Sequence, residues 1–142
     1  MSVLRRVSVR DEGQTLVELA LALPVILLLL VGVLDFGRAY QNYTALGNAV
    51  REGARDAVVH GASSATPWGP GANDANVTNA VRARAVGLVA GNITVTSSWP
   101  SGNSQGNEVV VGATYTFRPV AFMVIGNLAV PLSASTRARI QR

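Results

Sequence analysis

From Leu16 to Leu34 the chain runs nineteen residues interrupted by one charge, Glu18, and the last sixteen carry no polar side chain at all. At ~1.5 Å per residue a helix of that length covers roughly 28 Å, close to the ~30 Å hydrocarbon core of a bilayer. The segment predicts a membrane span, and a single span leaves no room for a pore. Arg5, Arg6 and Arg10 precede it, whereas only Arg38 falls in the fifteen residues after it. Positive-inside counting therefore predicts a cytoplasmic N-terminus, with the 108 residues from Asp35 onward on the other side. A cleaved secretory signal is the competing reading. The length of the run, Asp11 and Glu12 ahead of it, and only Gly37-Arg38-Ala39 as a cleavage site after it all weigh against that.

Composition removes most chemistry. The 142 residues include no Cys, no Lys and one His, with 12 Arg against 8 acids. Disulfides, thiol catalysis and thiolate zinc sites are excluded, and one His cannot supply a histidine cluster. Without Lys there is no Schiff base, no Walker A loop and no isopeptide link between subunits, so any polymer of this chain is non-covalent. No metal, cofactor or catalytic residue is expected.

The helical pattern continues past the apolar run. No proline occurs between Pro24 and Pro67, and Phe36, Tyr40, Tyr43, Gly47, Val50, Ala54 and Ala57 recur every three or four residues. This predicts one helix over 14–60, roughly 70 Å long, with residues 16–34 in lipid and the remainder projecting. The stripe Phe36, Tyr40, Tyr43, Val50 and Ala54 is the expected seat for the rest of the protein. Asp35 with Arg38, and Glu52 with Arg55, are spaced to pair on the surface. Pro24 strands the carbonyl of Ala20, so a kink or melted turn is expected there.

Residues 61–142 read as a small α+β head outside the membrane. Ala62 to Ala72 is a loop rich in Gly, Pro and Ser. Asn73 or Asp74 caps a second helix reaching about Ala90, with Val77, Val81, Ala85 and Leu88 on one face. The period then changes to two. Ile93, Val95, Ser97 and Trp99 share a face, then Val109, Val111, Ala113, Tyr115 and Phe117, then Leu128, Val130, Leu132, Ala134, Ala138 and Ile140. Three such runs predict an antiparallel meander with one buried face. A head of 82 residues without disulfides is small for a self-sufficient core, so its sheet should pack on the long helix.

Other polar residues have plain explanations. His60, after Glu52 and Asp56, suits a helix C-terminus; Ser63 and Ser64 lack any base beyond that His. Trp68 and Trp99 should fold back onto the core. Arg137, Arg139 and Arg142 form a solvated face, with an acidic partner, polysaccharide or DNA as the second reading.

The informative motif is Gly13-Gln14-Thr15-Leu16-Val17-Glu18. A carboxylate at the margin of an apolar helix is costly if unpaired in lipid. Either it snorkels to the headgroups, or a cut after Gly13 gives Gln14 a free α-amine one helical turn from Glu18. A basic leader ending in Gly, Glu at the fifth position after it, and an apolar helix together resemble the class III signal of type IV pilins and pseudopilins. The resemblance extends to the TadE-like family of Tad (Flp) pilus assembly proteins. EGQTLVELALALPVILLLLVGVLDFGRAY is similar to that family's membrane segment, NAVREGARDAVV (48–59) to the stretch after it, and YTFRPVAFMVIGNLAVPLSASTRARI (115–140) to its closing strands.

The resemblance implies a type IV pilin-like fold and a leader, residues 1–13, removed by prepilin peptidase at Gly13/Gln14. It implies an assembly charge pair between Gln14 and Glu18. It also implies, as partners, other pilins or pseudopilins, an inner-membrane assembly platform and the bilayer. Leu19 stands where major pilins of this system carry Tyr, and the chain is longer than theirs, which favours a minor pilin or pseudopilin. The rival functions are an uncleaved envelope anchor with a partner-binding head, and a secreted binding module.

Overall fold

The computed structural model describes residues 9–121, 126 and 128–141, with side chains from residue 13 onward. Arg5 and Arg6, in the expected leader, and Arg142 lie outside the described residues. Helix α1 (Val9–Val59) is followed by α2 (Ala75–Arg84), a 3-10 turn (Ala90–Asn92), and strands β1 (Ile93–Ser98), β2 (Glu108–Phe117) and β3 (Val130–Arg139). The strands form one antiparallel sheet in the order β1-β2-β3, with Ile93 opposite Tyr115, and Glu108 opposite Arg139 through to Phe117 opposite Val130. The expected α+β arrangement of long helix, short helix and three-stranded meander is the observed one.

Burial along the strands alternates as the sequence alternates. Their inner face (Ile93, Val95, Trp99, Val109, Val111, Ala113, Tyr115 and Phe117) joins Val77 and Val81 of α2 and the upper half of α1 in one core. β3 tracks α1. Val130 lies near Ala39, Ala134 and Thr136 lie beside Tyr43 to Arg51, and the Gln141 N–H donates to the carbonyl of Val58 (3.1 Å).

Three expectations are corrected. α1 is helical without a break through Pro24, so of the expected kink or melted turn the melted turn is overturned; Pro24 removes one hydrogen bond and the helix continues on the others. α2 stops at Arg84, short of Ala90, because Gly87 takes a left-handed conformation (φ +81°) and Ala85 to Val89 turn toward β1. Third, the seat for the head keeps the upper part of the expected stripe but not its three aromatic residues. Phe36, Tyr40 and Tyr43 are 76%, 67% and 51% exposed, while Val50 and Ala54 are buried. Toward the lower end the packed face runs one residue earlier, through Asp35, Ala39, Leu46, Ala49 and Gly53, which is a rotation of roughly 100° about the helix. Smaller residues there let the strands approach. Higher up, α2 covers a second flank of α1, so the buried face widens to take in Val50, Ala54 and Val58.

α2 is anchored at both ends. Asp74 accepts from Asn76 N (2.7 Å), Val77 N (3.4 Å) and Gly69 N (2.9 Å), and donates its own N–H to Ser97 Oγ (2.8 Å) on β1. At the other end Arg84 pairs with Asp56 of α1, and Arg82 donates to the Ile93 carbonyl (3.0 Å).

Candidate functional site

Among the described residues, the lower half of α1 meets little beyond Val120 and Ala121. Every residue from Gly13 to Leu30 is exposed. Leu16, Leu21, Leu29 and Leu34 on different sides of the helix are 66% to 72% exposed. A two-turn segment with one wet face would alternate; this one presents apolar side chains all round, as a helix in lipid or among other helices must. α1 is the one described helix long and apolar enough to cross a membrane.

The residues singled out at its lower end come together as expected of a helix. Gln14 and Glu18 lie one turn apart and border an open groove with Gly13, Val17 and Leu21. A Cβ placed on Gly13 would meet nothing within 4 Å, so no contact within the fold requires that residue to be small. The Gly13–Gln14 peptide is intact and helical; a Gln14 ammonium exists only after a cut.

At the upper end of the apolar run the structure holds a site that sequence reasoning missed. Asp35 was expected on the surface with Arg38. It does bond Arg38 (3.2 Å), yet it is 6% exposed and also accepts the backbone N–H of Ala121 (2.7 Å), 86 residues away. That N–H, then the backbone N–H of Val120 and then Arg38, lower the Asp35 carboxyl from its ordinary value against the opposing effect of burial. A carboxyl lowered in the folded state contributes stability that is present above its unfolded pKa and lost as pH falls through the folded one. The only hint in the sequence was an acid placed directly after an apolar run.

The remaining polar residues are structural. His60 stacks on Trp68 (centroids 4.2 Å apart, planes at 8°), and its Nδ1 bonds the Asp56 carbonyl (2.7 Å). Trp99 is buried and Trp68 packs against the core, as expected. Arg137 and Arg139 are exposed, and the Glu52–Arg55 pair forms at 3.9 Å. Among the described residues no group of three or more His, Asp or Glu is arranged to hold a metal.

A long apolar anchor helix that continues upward as the spine of a small α+β head defines a single-pass membrane-anchored protein. Residues 13–55 match the family model described as TadE-like protein, the family that the sequence resembles, and the match links the chain in general terms to the Tad pilus system. It covers the Gly13 motif, the whole apolar run and most of the α1 surface under the head. No curated protein and no solved structure gives a match to the chain.

Proposed function

We propose that this protein is a minor pilin or pseudopilin of the Tad (Flp) system, a non-enzymatic subunit that is cut by prepilin peptidase and joins other subunits without covalent links. It is held in the inner membrane with its N-terminus in the cytoplasm and its head outside, and it passes from there to the assembly platform and the pilus. The observation that carries this reading is a helix in which every residue from Gly13 to Leu30 is exposed, headed by a Gly that the fold does not require to be small. Such a surface must be covered by lipid before assembly and by neighbouring helices after it. Phe36 and Tyr40 continue the uncovered surface just above the bilayer and offer aromatic contacts to the interface or to a neighbour. Release by signal peptidase near residue 40 fits poorly, because Ala39 lies in mid-helix, packed against the core.

N-terminal sequencing of membrane-isolated protein tests the reading. A start at Gln14 supports it, a start at residue 1 or 2 favours an uncleaved anchor, and a start near residue 40 favours a secreted module. Gly13→Leu should block processing while sparing membrane insertion, and normal maturation of that variant would refute the assigned cut. After cleavage the Gln14 ammonium is the only primary amine in this lysine-free chain and the natural partner for Glu18. Breaking a charge pair removed from water costs ~3–5 kcal/mol, because the survivor is left unpaired. Glu18→Ala should therefore be inserted and cut normally yet fail to co-purify with pilus components.

A further inference from the structure

The connection between β2 and β3 returns to α1 at an unexpected height. Val120 and Ala121 lie against Leu27, Leu28 and Val31 across a groove that only apolar side chains line. Those three α1 residues belong to the apolar run and sit three to seven residues below its end at Leu34, which is roughly 5–10 Å down a helix. If residues 16–34 span the bilayer, Val120 is then at hydrocarbon depth and not above it.

Two features of the segment suit that depth. From Pro119 to Val130 the sequence holds no charged residue, and the side chains of Val120 and Leu128 are 44% and 47% exposed. The backbone donors of its first residues are provided for as well: Pro119 has no N–H, and the N–H groups of Val120 and Ala121 are taken by the buried Asp35 carboxylate. Backbone at membrane depth is tolerated where such groups are satisfied from within the protein. Above this level the charge changes sign of purpose: Arg118 is exposed at the start of the connection and Arg38 half-exposed one turn above Leu34, at the height of phospholipid headgroups. Anionic headgroups favour cations there, and long arginine stems reach them from an apolar base.

We infer that the head is seated in the bilayer surface, with the Val120 end of the β2–β3 connection inserted among the acyl chains of the leaflet through which α1 leaves the membrane. The occupant of the exposed apolar surface at Val120 is phospholipid of that leaflet. The inference rests on the reading of residues 16–34 as a membrane span, and its test keeps the two apart.

The chain has no Cys, so single-Cys variants of the full protein can carry one environment-sensitive fluorophore each in vesicles of equimolar phosphatidylcholine and phosphatidylglycerol. Val120→Cys reports the inserted tip, Ile26→Cys the span, and Gln105→Cys the far end of the head. Leu128→Cys, which does not line the groove, repeats the measurement where the probe cannot disturb the Val120 contact. Aqueous iodide should quench the probes at 120 and 128 several-fold less than the probe at 105, and spin-labelled acyl chains should quench them several-fold more, at every protein-to-lipid ratio. Iodide quenching at 120 and 128 equal to that at 105, with 26 protected, would overturn the insertion and leave the span intact. Protection at 120 and 128 that fades as the protein is diluted in lipid would overturn it in favour of a second copy of the chain. Iodide access at 26 would overturn the span, and the insertion with it.

Discussion

The two halves of α1 are one uninterrupted helix with opposite relations to the rest of the chain. From Leu19 to Leu34 its side chains are apolar on all sides and join no buried core; above Asp35 they are mixed, and one flank is buried under β2, β3 and α2. Helix propensity does not distinguish them. What differs is the solvent each was composed for: the lower half leaves its apolar surface for lipid or partner helices, and the upper half spends it inside its own subunit. Stability of the head and competence to assemble should thus be separable by substitution within one helix.

The sharpest way to break that comparison is a matched pair of Leu→Ala variants. Leu46 is fully buried, and its truncation should cost ~2–5 kcal/mol, a large share of a small domain's stability. Leu21, 72% exposed in the lower half, should leave the head's unfolding unchanged. Denaturation of the full chain in detergent, followed by the fluorescence of Trp68 and Trp99, reads both. A next, smaller contrast uses glycine. A Cβ on Gly53 would run into Val81 Cγ2, whereas one on Gly37 meets nothing within 4 Å. Gly53→Ala should lose ~1–3 kcal/mol through overpacking against α2, while Gly37→Ala should gain up to ~1 kcal/mol from helix propensity; the same unfolding curves should move in opposite directions.

The smallest effect separates the expected stripe from the observed one. Had Tyr43 been a core ring, its removal would cost ~3–5 kcal/mol. Half-exposed as it is, Tyr43→Ala should shift stability by no more than ~1 kcal/mol, because it forfeits only partial burial. A midpoint shift as large as that of Leu46→Ala would restore the original stripe.

What was legible follows from which forces are local. The strands were read to within one or two residues because alternation records burial directly: Val109, Val111 and Ala113 face in wherever the sheet sits. The apolar run and the Gly13 motif were equally plain, since neither depends on tertiary contact. The lower part of the α1 face was misread because Phe36, Tyr40 and Tyr43 continue the helical spacing of Val50 and Ala54, whereas a close helix–sheet contact favours Ala39, Ala49 and Gly53, whose signal in a sequence is weak. Asp35 was half-read: its pairing with Arg38 is a matter of helical spacing, but its burial depends on Ala121, and no local pattern announces a partner 86 residues away.

The alignment of β3 with α1 has a mechanical consequence. The ladder between β2 and β3 holds ten residue pairs, and β3 runs beside α1 from the level of Ala39 to that of Val58. A load that draws α1 with β3 one way along the helix axis and β2 the other shears that ladder, so that its bonds resist together and must fail together. A load applied sideways would peel them one at a time. The subunit is built to be stiff under tension along its anchor and weakest to bending away from it.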